Sequence, residues 1–204
     1  MGAELLLTVL EIAAVVAFAI SAFIEAARKH LDVVGVFAVA FVTAFGGGTL
    51  RDLLIDRRPF FWVEHQEYVW LVFALSAAAT PCLRRLRLTE RAIRVPDALG
   101  MGLFSVVGAS QALELAVPPF VAALMGVITG VFGGVMRDII CNEIPTVFRD
   151  RRPYAVCSFA GSWGFLGLHL AGAHETLALA GGAALAAGLR LVALARGWRV
   201  PSWN

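Results

Sequence analysis

Apolar runs separated by short charged or proline-bearing intervals dominate the 204-residue chain. They cover positions 5–27, 33–55, 69–83, 98–117, 120–141, 155–173 and 177–195. A hydrocarbon core of ~30 Å takes roughly 20 apolar residues of helix to cross. The pattern therefore predicts an all-α integral membrane protein with seven transmembrane helices, forming a single membrane domain over 1–204. Composition agrees: 59% of residues are hydrophobic and 16% charged, whereas soluble domains run nearer half and a quarter. No basic segment precedes the first run, so that helix is expected to be retained rather than cleaved.

Sliding the sequence over itself by 86 positions aligns two halves without a gap. Phe18 meets Phe104, Thr43 meets Thr129, and Gly47-Gly48 meets Gly133-Gly134. Arg51-Asp52 then falls on Arg137-Asp138, Pro59 on Pro145 and Tyr68 on Tyr154. Three helices per copy, over about 5–83 and about 97–173, force the copies into the membrane in opposite orientations. The expected architecture is two inverted three-helix repeats plus a seventh helix at about 176–195, with a binding or conduction site between the repeats. Pro59 and Pro145 are expected to terminate the second and fifth helices.

Gly46, Gly47 and Gly48 fall midway along the second helix, and Gly130, Gly133 and Gly134 midway along the fifth. Glycine weakens a helix by about 1 kcal/mol relative to alanine. One reading has these residues admit a neighbouring helix closely. The other, favoured because both copies carry the feature, breaks each helix and frees carbonyls toward a cavity. Two helix C-termini would then meet near the midplane with their partial negative charge, suiting a cation or an ammonium group. Thr43 and Thr129 would add hydroxyl oxygens, or simply bond back to their own helices.

Arg51, Asp52, Arg137 and Asp138 follow one turn later. Adjacent helical residues point about 100° apart, so pairing of Arg51 with Asp52 is not expected, and a cross-repeat pair such as Arg51 with Asp138 is the open alternative. The arginines either line and gate a path or snorkel to the headgroups. Glu11 lies deep in the first helix and is a candidate partner for a buried arginine; Glu25 aligns with Gln111 near a helix end.

Twelve of the 17 basic residues fall in loops 1, 3 and 5 and the C-terminal tail, including Arg84, Arg85, Arg87, Arg91 and Arg94. This bias places the N-terminus outside and the C-terminus in the cytoplasm. The arginine cluster reads as a loop at the lipid surface, not a nucleic-acid patch. Cys82, Cys141 and Cys157 have no metal-ligand spacing, and the four histidines fall near loops. With no nucleophile–base pair, phosphate loop or dinucleotide fingerprint, an enzyme is not expected, nor is a cofactor or resident metal.

The runs Gly46-Gly47-Gly48-Thr49-Leu50-Arg51-Asp52 and Gly133-Gly134-Val135-Met136-Arg137-Asp138, the latter continuing through Asn142-Glu143-Ile144-Pro145, carry a family resemblance. The chain resembles the prokaryotic branch of the trimeric intracellular cation (TRIC) channels, and is similar to the related bacterial proteins called glycine transporters. The resemblance implies a homotrimer in the bacterial inner membrane with a pore in each protomer, constricted at the second and fifth helices and passing potassium with some sodium. It differs from the animal pattern in having no lysine in those helices; Lys29 is the chain's one lysine. A monovalent cation channel is the leading expectation, and alternating-access transport of a small solute such as glycine the alternative.

Overall fold

The computed structural model describes residues 2–83 and 89–201. Arg84, Arg85 and Arg87 of the basic loop lie outside the described residues. The described residues form α1 (Gly2–Arg28), α2 (Val33–Leu54), α3 (Phe61–Glu64), α4 (Gln66–Leu83), α5 (Glu90–Glu114), α6 (Pro119–Ile140), α7 (Thr146–Arg149), α8 (Ala155–Leu170) and α9 (Glu175–Arg196). Five of these, α1, α2, α5, α6 and α9, are long and apolar enough to cross a membrane; α8 is apolar but shorter.

The structure departs from the sequence expectation at the start of α5 and in two added short helices. Helix α5 begins at Glu90 rather than 98, because its first turns carry Glu90, Arg91 and Arg94 and contain Pro96. Hydropathy marks where a helix turns apolar, not where its hydrogen bonding starts. The short α3 and α7 follow α2 and α6 at matching places in the two halves.

The prolines do not end α2 and α6. Asp56 and Asn142 do, with left-handed φ values of 53° and 56°. Behind them the Arg57 N–H returns to the Asp52 carbonyl and the Glu143 N–H to that of Asp138, each at 2.8 Å. Such bonds satisfy carbonyls that a helix C-terminus otherwise leaves open. His30 and Ala116 close α1 and α5 in the same way, at φ 55° and 57°. Each of these pairs is 86 positions apart, so the backbone stops repeat along with the side chains.

The core lies where α1, α2, α5 and α6 meet, with α5 also packing on α8 and α9. Phe18 and Phe104 meet in a tilted contact at its centre, with ring centroids 5.4 Å apart. Helix α9 joins through small residues: a side chain at Gly102 would strike Ala187, and one at Gly161 would strike Ala186 and the Gly182 carbonyl. Close backbone approach of this kind is how helices associate in the absence of a hydrophobic driving force.

Two buried arginine–aspartate clusters

The expected breaks at the glycines are absent. Helices α2 and α6 run uninterrupted through 46–48 and through 130–134. Glycine here meets a requirement of size. A Cβ at Gly47 would collide with the Thr129 carbonyl oxygen, and one at Gly133 with the Thr43 carbonyl oxygen. The two helices thus cross backbone against backbone through the same pair of positions, used reciprocally. The Thr43 and Thr129 hydroxyls donate back to the Val39 and Met125 carbonyls of their own helices at 2.6 and 2.7 Å. Gly130 fits against Ser105 and the Met101 carbonyl, Gly46 against the Met136 sulfur, and Gly48 faces Phe61 and Arg51 in ordinary contact.

On either side of this crossing sits one arginine–aspartate pair, and each pairs within its own repeat rather than across repeats. Arg51 donates from Nε and Nη2 to its neighbour Asp52 at 2.9 and 2.7 Å. Arg137 does the same to Asp138 at 2.9 and 2.8 Å. The 100° separation is overcome because a long guanidinium can turn back along the helix toward a short carboxylate in its last turn. Neither arginine snorkels: Arg51 is 1% and Arg137 2% exposed. Each aspartate spends its second oxygen on the next segment. Asp52 accepts from the Phe61 N–H at 2.8 Å, and Asp138 from the Thr146 N–H and hydroxyl at 2.8 and 2.9 Å. The pairs therefore anchor α3 and α7 while leaving little buried polar capacity unused.

Beyond this shared core the ends diverge. At the Arg137 end, Arg137 Nη1 also donates to Asp97 at 2.8 Å and to Ser21 at 2.9 Å, and Tyr154 donates to Asp97 at 2.7 Å. Arg190 of α9 stacks over the Tyr154 ring at 4.6 Å and donates to the Pro153 carbonyl at 2.8 Å. At the Arg51 end, Arg51 has no such second carboxylate bond. Glu11 instead accepts from Tyr68 at 3.1 Å and from Gln111 at 2.7 Å. Glu11 thus takes a tyrosine and a glutamine as its hydrogen-bonding partners, not the arginine.

A cavity of about 250 Å³ opens at the Arg137 end, lined by Glu25, Asp97, Arg137, Asp138, Arg149 and Arg190 among others. Ion pairs tie its rim together. Lys29 after α1 bonds Glu143 at 2.6 Å, Arg149 reaches Glu143 at 3.5 Å, and Arg149 also pairs with Glu90 at the start of α5. The Lys29 hydrogen bond holds the Glu143 carboxyl below the usual carboxylate range, and in return Glu143 raises the Lys29 ammonium.

The sequence does not mark Asp97, Tyr68, Tyr154 and Arg190 as site residues, although Tyr68 and Tyr154 stand out as a matched pair of the repeat. Three of them carry a signal in it: Asp97 is 86 positions from Glu11, as Tyr154 is from Tyr68. Arg190 lies outside the duplication and has no such marker. Among the described residues no group of three or more histidine, cysteine or acidic side chains is placed to hold a metal ion.

The glycine-transporter family model matches this chain twice, over residues 8–84 and 94–169. The chain is 35% identical to a UPF0126 membrane protein of Vibrio cholerae, over 80% of this chain and 69% of that one. It is also 35% identical to the inner membrane protein YadS of Escherichia coli K12, over 74% of each. Among solved structures it is similar to the TRIC trimeric intracellular cation channel orthologue from Rhodobacter sphaeroides, with 34% identity, a TM-score of 0.89, and 95% and 99% of the two chains covered. A TRIC cation channel structure concerned with conductance gives 31% identity and a TM-score of 0.85 over 97% of each chain.

Proposed function

This chain belongs to the family of the glycine-transporter proteins and TRIC channels, and from that premise we propose that it is a passive monovalent cation channel of the bacterial inner membrane. The observation that carries the reading is the near-complete structural match to TRIC cation channels, a TM-score of 0.89 over 95% of this chain. In this reading seven helices cross the bilayer, with α4 and α8 completing the five longer ones. The segments about 5–83 and 97–173 are inverted repeats and α9 is the added helix. The reciprocal Gly47–Thr129 and Gly133–Thr43 contacts support this symmetry, since a pseudo-twofold axis exchanges those positions.

The path runs past the α2–α6 crossing, between the Arg51 and Arg137 clusters, and potassium is the main permeant ion with some sodium. Its constriction is the close helix crossing, not a break in either helix. Arg51 and Arg137 gate it: each is a buried positive charge neutralised by carboxylates, and exchange of those partners changes the local field met by a cation. The arginine-rich loops put the Arg137 end in the cytoplasm and the N-terminus outside. The assembly is a homotrimer in contact with membrane lipid, each protomer holding its own path.

Uptake of a small zwitterion such as glycine is the second reading, favoured by the match to the glycine-transporter model over both halves. Proteoliposomes loaded with potassium and labelled glycine separate the two. Potassium efflux without saturation and without glycine exchange supports the channel. Saturable glycine exchange with no potassium leak would replace it with the transporter.

A further inference from the structure

Glu11 and Asp97 occupy matching positions of the two halves, and so do Glu25 and Gln111, all at the offset of 86. Helix α1 carries Glu11 and Glu25, and α5 carries Asp97 and Gln111. The pair Glu11–Gln111 and the pair Asp97–Glu25 are therefore one α1–α5 contact met twice, once at each end of the molecule. Chemically they differ in an amide against a carboxylate at positions 111 and 25, and in one methylene between Glu11 and Asp97. The Arg51 end has a carboxylate facing an amide; the Arg137 end has two carboxylates.

That difference decides whether the contact closes. An amide donates to a carboxylate, and the Gln111 Nε2 bond to Glu11 at 2.7 Å joins α5 to α1, with Tyr68 of α4 added at 3.1 Å. Two ionised carboxylates have no proton to share and repel. Asp97 turns instead to Arg137 and Tyr154, and Glu25 turns to Arg28. Between them lies the cavity of about 250 Å³, which both line. Among the described residues Glu25 Oε1 and Gln111 Oε1 are both buried without a hydrogen-bond partner, so the ends differ at the other atom: Gln111 Nε2 donates the closing bond to Glu11, where Glu25 has only an oxygen, held by Arg28.

We propose that the Glu25/Gln111 difference sets which end of the path is open: Gln111 staples the Arg51 end shut through Glu11, and Glu25 holds the Arg137 end open because it cannot donate to Asp97. The inference rests on a path running between the two clusters. It adds that the two halves are not interchangeable, and that the Arg51 end is a second vestibule in its closed state. Opening that end requires Gln111 to release Glu11. Closing the other requires a hydrogen-bond donor at position 25.

The test reads water access rather than ion flux, so a protein that conducts nothing still answers it. In the full chain, with Cys82, Cys141 and Cys157 replaced by alanine, a reporter cysteine is introduced at one end by Gly48→Cys or at the other by Ile93→Cys. A Cβ at Gly48 meets Phe61 at 3.6 Å and Arg51 at 3.8 Å, ordinary contact distances; Ile93 lines the cavity. Labelling rates with a charged, membrane-impermeant thiol reagent are measured in detergent and in proteoliposomes. Ile93→Cys is expected to react tenfold or more faster than Gly48→Cys. Adding Gln111→Glu should raise the Gly48→Cys rate at least tenfold, and adding Glu25→Gln should lower the Ile93→Cys rate comparably. Gln111→Leu, which removes the donor without adding charge, should also raise the Gly48→Cys rate and serves if Gln111→Glu fails to fold. If either end's rate stays unchanged in protein that elutes as folded, the proposal is overturned. Potassium efflux from the same vesicles reports separately on the channel reading.

Discussion

Arg51 and Arg137 show how much a buried charge depends on its immediate partners. Among the described residues Arg51 holds a single carboxylate in hydrogen-bond range, Asp52, whereas Arg137 holds Asp138 and Asp97. Removing the partner of a buried ion pair costs about 3–5 kcal/mol, because a charge is left uncompensated. Asp52→Asn should therefore cost about that much, and Asp138→Asn less, since Asp97 still faces Arg137. Thermal unfolding of the purified variants in detergent checks the order; an Asp138→Asn loss equal to or larger than that of Asp52→Asn would contradict it. The sequence made all four residues visible through the repeat, yet counted against the neighbour as partner. Helical spacing describes where side chains leave the backbone, and a guanidinium several bonds out is not bound by it. Glu11 was visible as a deep acid, but Tyr68, which donates to it, lies 57 positions away, and only the fold brings the two together.

At the scale of the helix, the glycines were legible in position and misread in purpose. Gly47 and Gly133 sit where α2 and α6 touch backbone to backbone, so any side chain there pushes against a carbonyl that cannot move aside. Gly47→Ala and Gly133→Ala are each expected to destabilise by about 1–3 kcal/mol, the range typical of an overpacked core. Gly48→Ala meets only ordinary contacts and should instead gain up to about 1 kcal/mol from better helix propensity. Unfolding temperatures of the three variants, measured side by side, test this; equal losses at positions 47 and 48 would return glycine to a role in flexibility. The distinction was out of reach of the sequence because a small residue reports that something comes close, not what. The helix stops were likewise hidden. Prolines drew attention, while the left-handed Asp56 and Asn142 that end the helices look like ordinary loop residues.

Over the whole molecule, the duplication supplies a frame that the chain then departs from. The arginine–aspartate pairs and backbone stops repeat, but the cavity, the Arg190–Tyr154 stack and the ion pairs of the rim belong to the Arg137 end. The rim should respond to pH. Because Lys29 holds the Glu143 carboxyl below its ordinary value of about 4.3, the stabilisation this pair gives is present at neutral pH and fades as pH falls through the lowered Glu143 value. At the other extreme it is lost as pH rises through the raised value of Lys29. Glu143→Gln should therefore unfold more easily than the parent protein at pH 7 and converge with it in acid, as followed by unfolding temperature against pH. A constant difference down to pH 3 would remove the pair from the account.

A planar-bilayer recording of the purified protein under an asymmetric potassium chloride gradient shows what crosses the membrane. A cation channel gives discrete openings whose current reverses near the potassium equilibrium potential, with sodium carrying a smaller current when substituted. Reversal near the chloride potential, or silence from folded protein that exchanges labelled glycine in vesicles, would contradict the channel reading.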